Sequence, residues 1–351
     1  MSRFFSQKYK ELEPYTPGEQ PRDVKYIKLN TNESPFPPSK KAVEYAAREA
    51  ENYQLYSDPE CTALVECASR LFGVEKDEIL FTNGSDEILN FSFMAYCDKD
   101  HPAYFADITY GFYSVFAAIN NVPFVEIPLK DDFTLDITDY FGKRGVIFIA
   151  NPNAPTGIAL SLREVEEIVK NNPESVVVID EAYIDFGAES AVPLIKKYDN
   201  LLITQTFSKS RSMAGARLGF GIGCKDLIRD LNTVKYSTNP YNVNRATMAA
   251  GVGAIEDEEY ARDNCKKIIA TRERIKKELL DMGFSMTDSS TNFLFVKHPD
   301  ISGETLYLEL KKKGILVRHF SKSALCEYNR ITVGTDDQMD RLVRAIREIM
   351  E

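Results

Sequence analysis

Lys209 stands out among the reactive side chains that follow predicted β-strands. It lies between Ser208 and Ser210, shortly after the predicted strand 201–204. Small hydroxyl residues on both sides differ from the salt-bridge spacing of a lysine on a solvated helix face. A lysine held in a pocket can lose its proton and attack a carbonyl carbon. The alternative is an ordinary surface lysine, since most lysines are exposed.

Asp180 ends a continuous run of mostly β-branched residues, 175–180, which is typical of a strand covered on both faces. A carboxylate at the end of such a strand needs a cationic or hydrogen-bonding partner, because burying it unpaired is costly. Tyr183 follows three residues later. The alternative is that Asp180 caps the N-terminus of a helix.

An anion-binding turn is predicted after the strand 79–82, where Gly84, Ser85 and Asp86 begin the next helix. Free backbone N–H groups and the helix dipole favour a phosphate at such a position. The alternative is an ordinary cap, in which Ser85 or Asp86 satisfies the end of the helix.

Two further polar segments stand beside predicted strands. Arg217 directly precedes the strand 218–223. The turn 151–157 follows the strand 146–150, reads Asn-Pro-Asn-Ala-Pro-Thr-Gly, and either presents polar groups to a ligand or is only a tight loop. Ligands of parallel α/β sheets bind beyond the carboxyl ends of the strands. We therefore expect a binding site where these segments meet.

The elements that would position these side chains alternate between helix and strand from about residue 40. Such alternation predicts an α/β unit with a mostly parallel sheet. The predicted strands are 79–82, 146–150, 175–180, 201–204 and 218–223. The predicted helices are 40–52, 61–72, one that begins at 83–86, and 162–171.

After residue 255 the pattern changes to an α+β arrangement that follows a long charged helix, 258–282. The elements predicted after it are the strand 292–296, the helix 305–313, the strands 315–318 and 330–333, and the helix 337–350. We predict a proline-rich arm over 1–40, a large domain over 41–255 and a smaller C-terminal domain over 256–351.

Composition narrows the class of function. The 351 residues carry a formal net charge of −10, which disfavours general nucleic-acid binding. No apolar run approaches the ~18 residues that span a membrane, and the N-terminus turns polar too early for a signal peptide. Six scattered cysteines without a Cys-x-x-Cys pair indicate free thiols in a reducing cytoplasm. Three distant histidines lack ligand spacing, so no metal site is expected.

The order of these motifs resembles the fold-type I enzymes that depend on pyridoxal 5′-phosphate (PLP), specifically the class I and II aminotransferases. The similarity covers nearly the whole chain and is greatest to the histidinol-phosphate aminotransferases. The matching segments are Lys-Leu-Asn-Thr-Asn-Glu-Ser-Pro at 28–35, Tyr-Ser-Asp-Pro at 56–59, Thr-Tyr-Gly at 109–111, Asp-Glu-Ala-Tyr at 180–183 and Arg-Ile-Thr-Val-Gly-Thr at 330–335. The resemblance implies a large PLP-binding α/β domain with a mostly parallel central sheet and a smaller α+β domain.

The resemblance also implies roles for individual residues. Lys209 would form the covalent link to PLP and move the proton between the substrate Cα and the cofactor. Asp180 would pair with the pyridine nitrogen. Tyr183 would donate to the 3′-oxygen of the cofactor, and Tyr110 would stack on its ring. The cofactor phosphate would be bound by Ser85, Asp86, Thr206, Ser208 and Arg217.

Members of this family are homodimers with active sites at the interface, to which the arm contributes. By resemblance, Tyr56 would reach the cofactor phosphate of the partner subunit, and Tyr15 would reach the substrate of the partner subunit. Asn30 would bind the substrate. The anionic group of the substrate would be bound by Arg318, Arg330 and Arg341. The alternative for these arginines is surface ion pairs, worth about 0–1 kcal/mol each.

One position departs from the family pattern. The turn usually reads Asn-Pro-Asn-Asn-Pro-Thr-Gly, and the asparagine before Pro-Thr-Gly contacts the 3′-oxygen of the cofactor. This chain has Ala154 there. The amide contact is therefore absent, or Asn153 or a water molecule replaces it. We expect a weaker hold on the 3′-oxygen without loss of transamination while Tyr183 remains.

The implied reaction is amino transfer from L-histidinol phosphate to 2-oxoglutarate in histidine biosynthesis, with small anionic substrates and neither nucleic acid nor membrane as a partner. An aromatic-amino-acid aminotransferase and a threonine-phosphate decarboxylase of the same fold are alternatives. A PLP-binding regulator would need a fused DNA-binding module, for which the arm is too short. A Rossmann dehydrogenase would need Gly-x-Gly-x-x-Gly after its first strand, which the segment 83–87 does not supply.

Overall fold

Two β-sheets with surrounding helices make up the fold. The structure is a computed structural model that describes residues 2–21 and 24–351. Its strands are β1 (Ile27–Leu29), β2 (Ile79–Thr82), β3 (Ala103–Ala106), β4 (Phe124–Ile127), β5 (Val146–Ala150), β6 (Val177–Asp180), β7 (Leu201–Thr206), β8 (Gly219–Gly223), β9 (Ser285–Met286), β10 (Phe293–Lys297), β11 (Ile315–His319) and β12 (Asn329–Thr332). Its α-helices are α1 (Lys40–Glu49), α2 (Thr62–Phe72), α3 (Ser85–Tyr96), α4 (Phe112–Asn120), α5 (Leu162–Lys170), α6 (Lys225–Thr238), α7 (Arg245–Glu256), α8 (Glu258–Asp281), α9 (Gly303–Lys312) and α10 (Asp336–Met350). In these described ranges, no helix has both the length and the apolar character needed to cross a membrane.

The larger sheet has the strand order β2-β8-β7-β6-β5-β3-β4. Neighbouring strands from β7 to β4 are parallel, whereas β8 is antiparallel to both β7 and β2. The predicted mostly parallel sheet is therefore confirmed. Because β5, β6 and β7 run in the same direction, the segments that follow them meet at one edge of the sheet.

Both faces of this sheet are covered, which explains the continuous β-branched run before Asp180. Val177 and Ile179 pack into the core on one face, and Val178 packs into the core on the other face beside Phe148. This alternation is the period of two that a strand imposes. All four residues of β6 are buried, including Asp180 at its end.

The smaller sheet has the order β1-β11-β12-β10-β9. Its edge strand β1 comes from the arm and is parallel to β11, with Ile27 opposite Ile315. The arm therefore contributes to the small domain. The two sheets agree with the interpretation of two domains, while the boundaries after residues 40 and 255 stay predictions.

The predicted elements are found, with ends displaced by a few residues. The first helix stops at Glu49 and continues as a 3₁₀ turn, Ala50–Asn52. The second helix starts at Thr62, because Cys61 has the left-handed backbone conformation with φ of 49°. The helix predicted from 305 starts at Gly303, since the Ser302 hydroxyl accepts from the backbone N–H of Thr305.

Seven elements lie outside the predicted set, namely β1, β3, β4, β9, α4, α6 and α7. Strand β4 is mostly exposed at the edge of its sheet, so its sequence lacks a buried face. Helix α4 is apolar on most of its surface and lacks the polar side that marks an amphipathic helix. Helix α7 contains several alanines and glycines, which give little periodic signal.

Candidate active site

The carboxyl ends of β5, β6 and β7 border a cavity of about 350 Å³, which we call the inner cavity. Its lining includes nine of the predicted site residues, namely Ser85, Asp86, Tyr110, Asp180, Tyr183, Thr206, Ser208, Lys209 and Arg217. A second cavity of about 950 Å³, the outer cavity, shares Tyr110, Tyr183 and Lys209 with it. The predicted lysine therefore stands where the two cavities meet.

Lys209 is half-buried in the turn after β7. Its Nζ is 3.5 Å from the carbonyl oxygen of Thr31 and 5.6 Å from the centre of the Tyr183 ring. The amine thus borders both cavities with weak hydrogen bonding of its own. In this position it can form a covalent bond with a carbonyl carbon of a ligand.

Asp180 is buried at the end of the inner cavity that adjoins the sheet. Its Oδ2 accepts from the Tyr113 hydroxyl at 3.1 Å, and its Oδ1 accepts from the backbone N–H of Ala182 at 3.2 Å. Burial raises the pKa of Asp180 to about 6 even though both hydrogen bonds act to lower it. A cationic group in the cavity would offset the cost of the buried carboxylate.

Tyr113 is a site residue to which the sequence motifs do not point. It is fully buried in α4, and burial together with the charge of Asp180 raises its pKa well above the usual value. The hydroxyl therefore stays protonated and donates a hydrogen bond to Asp180. Its spacing of three residues from Tyr110 is the available sequence signal, and the two rings do meet edge-on at 5.7 Å.

The opposite end of the inner cavity is suited to an anion. Helix α3 begins there without a side-chain cap from Gly84, so its first N–H groups lack protein acceptors within the helix. A Cβ atom on Gly84 would lie 2.7 Å from the Arg217 guanidinium, and one on Gly219 would lie 2.2 Å from the backbone nitrogen of Ser85. Both glycines are needed for this close approach to the start of the helix.

Arg217 and Asp86 form an ion pair at the rim of the inner cavity, with 3.1 Å between Nη2 and Oδ2. The other carboxylate oxygen of Asp86 accepts from the Tyr110 hydroxyl at 2.8 Å. The carboxylate of Asp86 is therefore engaged with its neighbours, and its predicted contribution to anion binding falls to the backbone N–H. The half-exposed guanidinium keeps further N–H groups for an anion.

The hydroxyl groups of Thr206 and Ser208 shape the turn that leads to Lys209. Thr206 Oγ1 donates to Ser208 Oγ at 2.9 Å and accepts from the Ser208 backbone N–H at 3.1 Å. The Ser208 hydroxyl thus retains its own proton for a ligand. Thr206 lines the cavity, but its hydroxyl serves the turn.

Tyr15 lies in the outer cavity of its own chain. Its ring stacks on Phe112 with 4.3 Å between centres and lies 6.3 Å from the Tyr110 ring. The arm runs across this chain's own cavity, and the contact of Tyr15 with the substrate of the partner subunit stays a prediction.

Arg318 and Glu19 hold the arm in this place. The Arg318 guanidinium donates to the carbonyl oxygens of Pro17 and Thr16 at 3.1 and 3.2 Å. Glu19 forms a salt bridge with Lys311 of α9 at 2.5 Å, which lowers the pKa of the carboxyl group despite partial burial. The arm is thus attached to β11 and to α9 of the small domain.

Arg318 and Arg330 lie directly opposite each other on β11 and β12 and both line the outer cavity. Arg330 Nη2 donates to the carbonyl oxygen of Asn30 at 3.2 Å, and Asn30 also lines this cavity. Burial lowers the pKa of Arg330, and the charge of Arg318 acts in the same direction. Like charges opposite each other destabilise a sheet, so this pair is suited to an anionic ligand.

Three predicted residues, Tyr56, Asn153 and Arg341, lie outside both cavities. Arg341 is exposed on α10, whose other side packs Leu342 and Ile346 into the small-domain core. The structure therefore places Arg341 away from both cavities, and its role in substrate binding stays a prediction. Tyr56 is 80% exposed and stacks on Tyr241 at 4.7 Å.

Asn153 lies close to the inner cavity but is absent from its lining, whereas Ala154 borders both cavities. The Asn153 side chain accepts from the Thr109 hydroxyl at 2.7 Å and donates to the Ile108 carbonyl and the Thr156 hydroxyl, each at 3.0 Å. Its amide is therefore committed to the turn. These contacts do not favour Asn153 as the replacement for the missing amide, and that suggestion stays a prediction.

The inner cavity combines a carboxylate at one end, a lysine between the ends, and an anion site at the other end. This order matches PLP, which carries a basic ring nitrogen, an electrophilic carbonyl carbon and a phosphate. The fold and the site together define a PLP-dependent enzyme of fold type I.

Comparisons with known proteins agree with this class. The family described as aminotransferase class I and II matches residues 24–346. The histidinol-phosphate aminotransferase of Brachyspira hyodysenteriae is 51% identical and covers 100% of both chains, and that of Clostridium acetobutylicum is 47% identical and covers 99% of both. The solved histidinol-phosphate aminotransferase of Sinorhizobium meliloti, in complex with pyridoxal-5′-phosphate, has a TM-score of 0.85 at 24% identity, covering 93% of this chain and 92% of that one. The chain belongs to the aminotransferase class I and II family and is a PLP-dependent aminotransferase.

Replacing Asp180 with asparagine should stabilise the cofactor-free protein at neutral pH while abolishing its activity. The folded-state pKa of about 6 exceeds the ordinary value of 3.8, so the stability contributed by this group is present at low pH and is lost as the pH rises through 6. Removing the charge should restore about 3 kcal/mol at neutral pH and almost nothing near the ordinary pKa. Urea unfolding of the cofactor-free variant at both pH values measures this difference.

Asp131→Asn is the matched control, because Asp131 is exposed and this variant, which keeps Asp180, should have the same unfolding free energy as the wild type at each pH. Equal stability of Asp180→Asn and the wild type at neutral pH would contradict the cost of the buried carboxylate.

Proposed function

We propose that this aminotransferase moves the amino group of L-histidinol phosphate to 2-oxoglutarate, giving imidazole-acetol phosphate and glutamate, and so acts in histidine biosynthesis. The observation that carries the proposal is the pair of opposed arginines, Arg318 and Arg330, in the cavity that adjoins Lys209. Two cations side by side fit a dianionic phosphate. Full-length relatives that are 45–51% identical carry the same activity in their names.

The residues of the chain divide the work by position. PLP supplies an electron sink next to the amino group when it is bound. Asp180 stabilises a positive charge on the ligand at the end of the inner cavity that adjoins the sheet. Arg217 and the start of α3 bind an anionic group at the opposite end. Lys209 lies where the cavities meet and moves a proton between substrate and cofactor. Arg318 and Arg330 fix the substrate by its phosphate.

A direct assay tests the proposal. The purified protein with PLP should convert histidinol phosphate and 2-oxoglutarate to glutamate and the keto product, and the visible absorption of the cofactor should bleach when histidinol phosphate is added alone. Lys209→Ala should lose this turnover. Faster bleaching by phenylalanine or tyrosine would favour an aromatic aminotransferase, and release of CO₂ from threonine phosphate would favour a decarboxylase.

Arg330→Gln should raise the KM for histidinol phosphate by about 10- to 100-fold, because charge-assisted hydrogen bonds to the phosphate are lost. The KM for unphosphorylated histidinol should change little. Arg341→Gln is the matched control, since Arg341 is exposed on α10 and should leave both constants as in the wild type. Steady-state kinetics with the two donors measure the difference. An equal loss for both donors would place Arg330 away from the phosphate.

We also propose that the enzyme is a cytoplasmic homodimer with shared active sites. All six cysteines are free thiols, which suits a reducing compartment. Large apolar side chains are exposed on α1 and on the loops that follow α1 and α6, namely Val43, Tyr53, Leu55, Tyr56 and Tyr241, and Tyr56 stacks on Tyr241. Monomeric proteins rarely expose so many together.

Sedimentation equilibrium should give twice the mass of one chain. Tyr56→Phe should leave this mass unchanged but weaken the binding of PLP several-fold, because a hydroxyl donor to the partner subunit's cofactor phosphate is lost. Tyr53→Phe is the control, since this exposed tyrosine lies on the same surface without a predicted ligand. A monomer that retains full activity would refute both the dimer and the role of Tyr56.

A further inference from the structure

The hydrogen-bond donor missing at Ala154 raises the question of what orients Tyr183. Ala154 presents a methyl group to the inner cavity, and the amide of Asn153 is committed to its own turn. Tyr183 lines the same cavity and is the remaining residue predicted to contact the 3′-oxygen of PLP. A hydroxyl group rotates freely unless a neighbour fixes it.

Asn32 is that neighbour. Its Nδ2 lies 2.9 Å from the Tyr183 hydroxyl oxygen, and the residue is 1% exposed. Its own position is fixed from the small domain. The backbone N–H of Asn32 donates to the Thr332 hydroxyl at 2.9 Å, and the Asn292 side chain donates to the Asn32 carbonyl oxygen at 3.0 Å. Asn32 also has a left-handed backbone with φ of 55°, which asparagine tolerates better than most residues.

The hydrogen-bond network determines which way the amide of Asn32 points. The Thr332 hydroxyl accepts from the Asn32 N–H, so its own proton needs an acceptor, and Asn32 Oδ1 lies 3.0 Å away. With the amide reversed, this buried proton would lose that acceptor, which is costly. Nδ2 therefore faces Tyr183 and donates to it.

An amide nitrogen only donates, so the oxygen of Tyr183 accepts, and the Tyr183 proton must point elsewhere. The inner cavity is on the open side of this hydroxyl. We propose that Asn32 is a positioning residue that turns the Tyr183 hydroxyl proton towards the 3′-oxygen of PLP and so compensates for the alanine at position 154. The inference rests on the proposed function in that it requires PLP in the inner cavity.

The test is a pH titration of the visible absorption of the PLP-loaded enzyme, which reports the proton shared near the 3′-oxygen. A donor withdraws negative charge from that oxygen, so losing it raises the proton affinity nearby. Asn32→Ala should raise the titration midpoint by about half a pH unit or more. Tyr183→Phe should shift it in the same direction, and the double variant should shift it no further than Tyr183→Phe alone.

Asn329→Ala is the matched control. Asn329 is also fully buried and lies on the same strand as Thr332, but its amide donates to the Gly303 carbonyl, away from Tyr183. It should lose stability without moving the midpoint. If Asn32→Ala fails to fold, Thr332→Val decides, because it keeps Asn32 but removes the hydroxyl that fixes the amide, and it should give a smaller shift in the same direction.

A midpoint that moves in Tyr183→Phe but stays at the wild-type value in Asn32→Ala, or in Thr332→Val where that variant decides, would overturn the role of Asn32 alone. An additive double variant would do the same, since the two residues would then act separately. A wild-type protein without a visible band after addition of PLP would instead overturn the proposed function.

Discussion

The buried carboxylate of Asp180 is the constraint to which the rest of the site is fitted. It ends a central strand that is covered on both faces, so little of its surface is accessible to water, and burial raises its pKa to about 6. The Tyr113 hydroxyl offsets part of that cost, and a cationic ligand offsets more. The start of α3 and Arg217 favour an anion at the other end of the inner cavity. A ligand with both charges therefore fits in one orientation, with its reactive carbon beside Lys209.

The small domain contains positive charge that the protein itself balances incompletely. Arg318 and Arg330 stand opposite each other on neighbouring strands. Carbonyl oxygens of the arm contact Arg318, and the Asn30 carbonyl contacts Arg330. These neutral groups balance two cations less fully than an anion would. The two domains thus provide charge complementarity for two ligands, and the cavities in which these ligands bind meet at Lys209.

The sequence predicts those site residues whose positions follow from the order and direction of the strands. Asp180 ends one parallel strand and Lys209 lies three residues after the end of the next, which brings both to one edge of the sheet. Tyr113 and Asn32 act through contacts with residues 67 and 151 positions away, so local patterns could not reveal them. The exposure of Arg341, in contrast, could have been read from the apolar positions of α10, which mark its buried side.

The contacts that the sequence conceals also join the two domains. Asn32 connects Tyr183 of the large domain with Thr332 of the small domain, and Thr332 is two residues from Arg330 on the same strand. A shift of that strand would move the amide that faces Tyr183 as well as Arg330, the arginine that we propose binds the substrate. In our proposal, the orientation of the Tyr183 hydroxyl and the binding of the substrate anion therefore depend on the same arrangement of the two domains. An asparagine at position 154, within the turn 151–157, would not connect the two domains in this way.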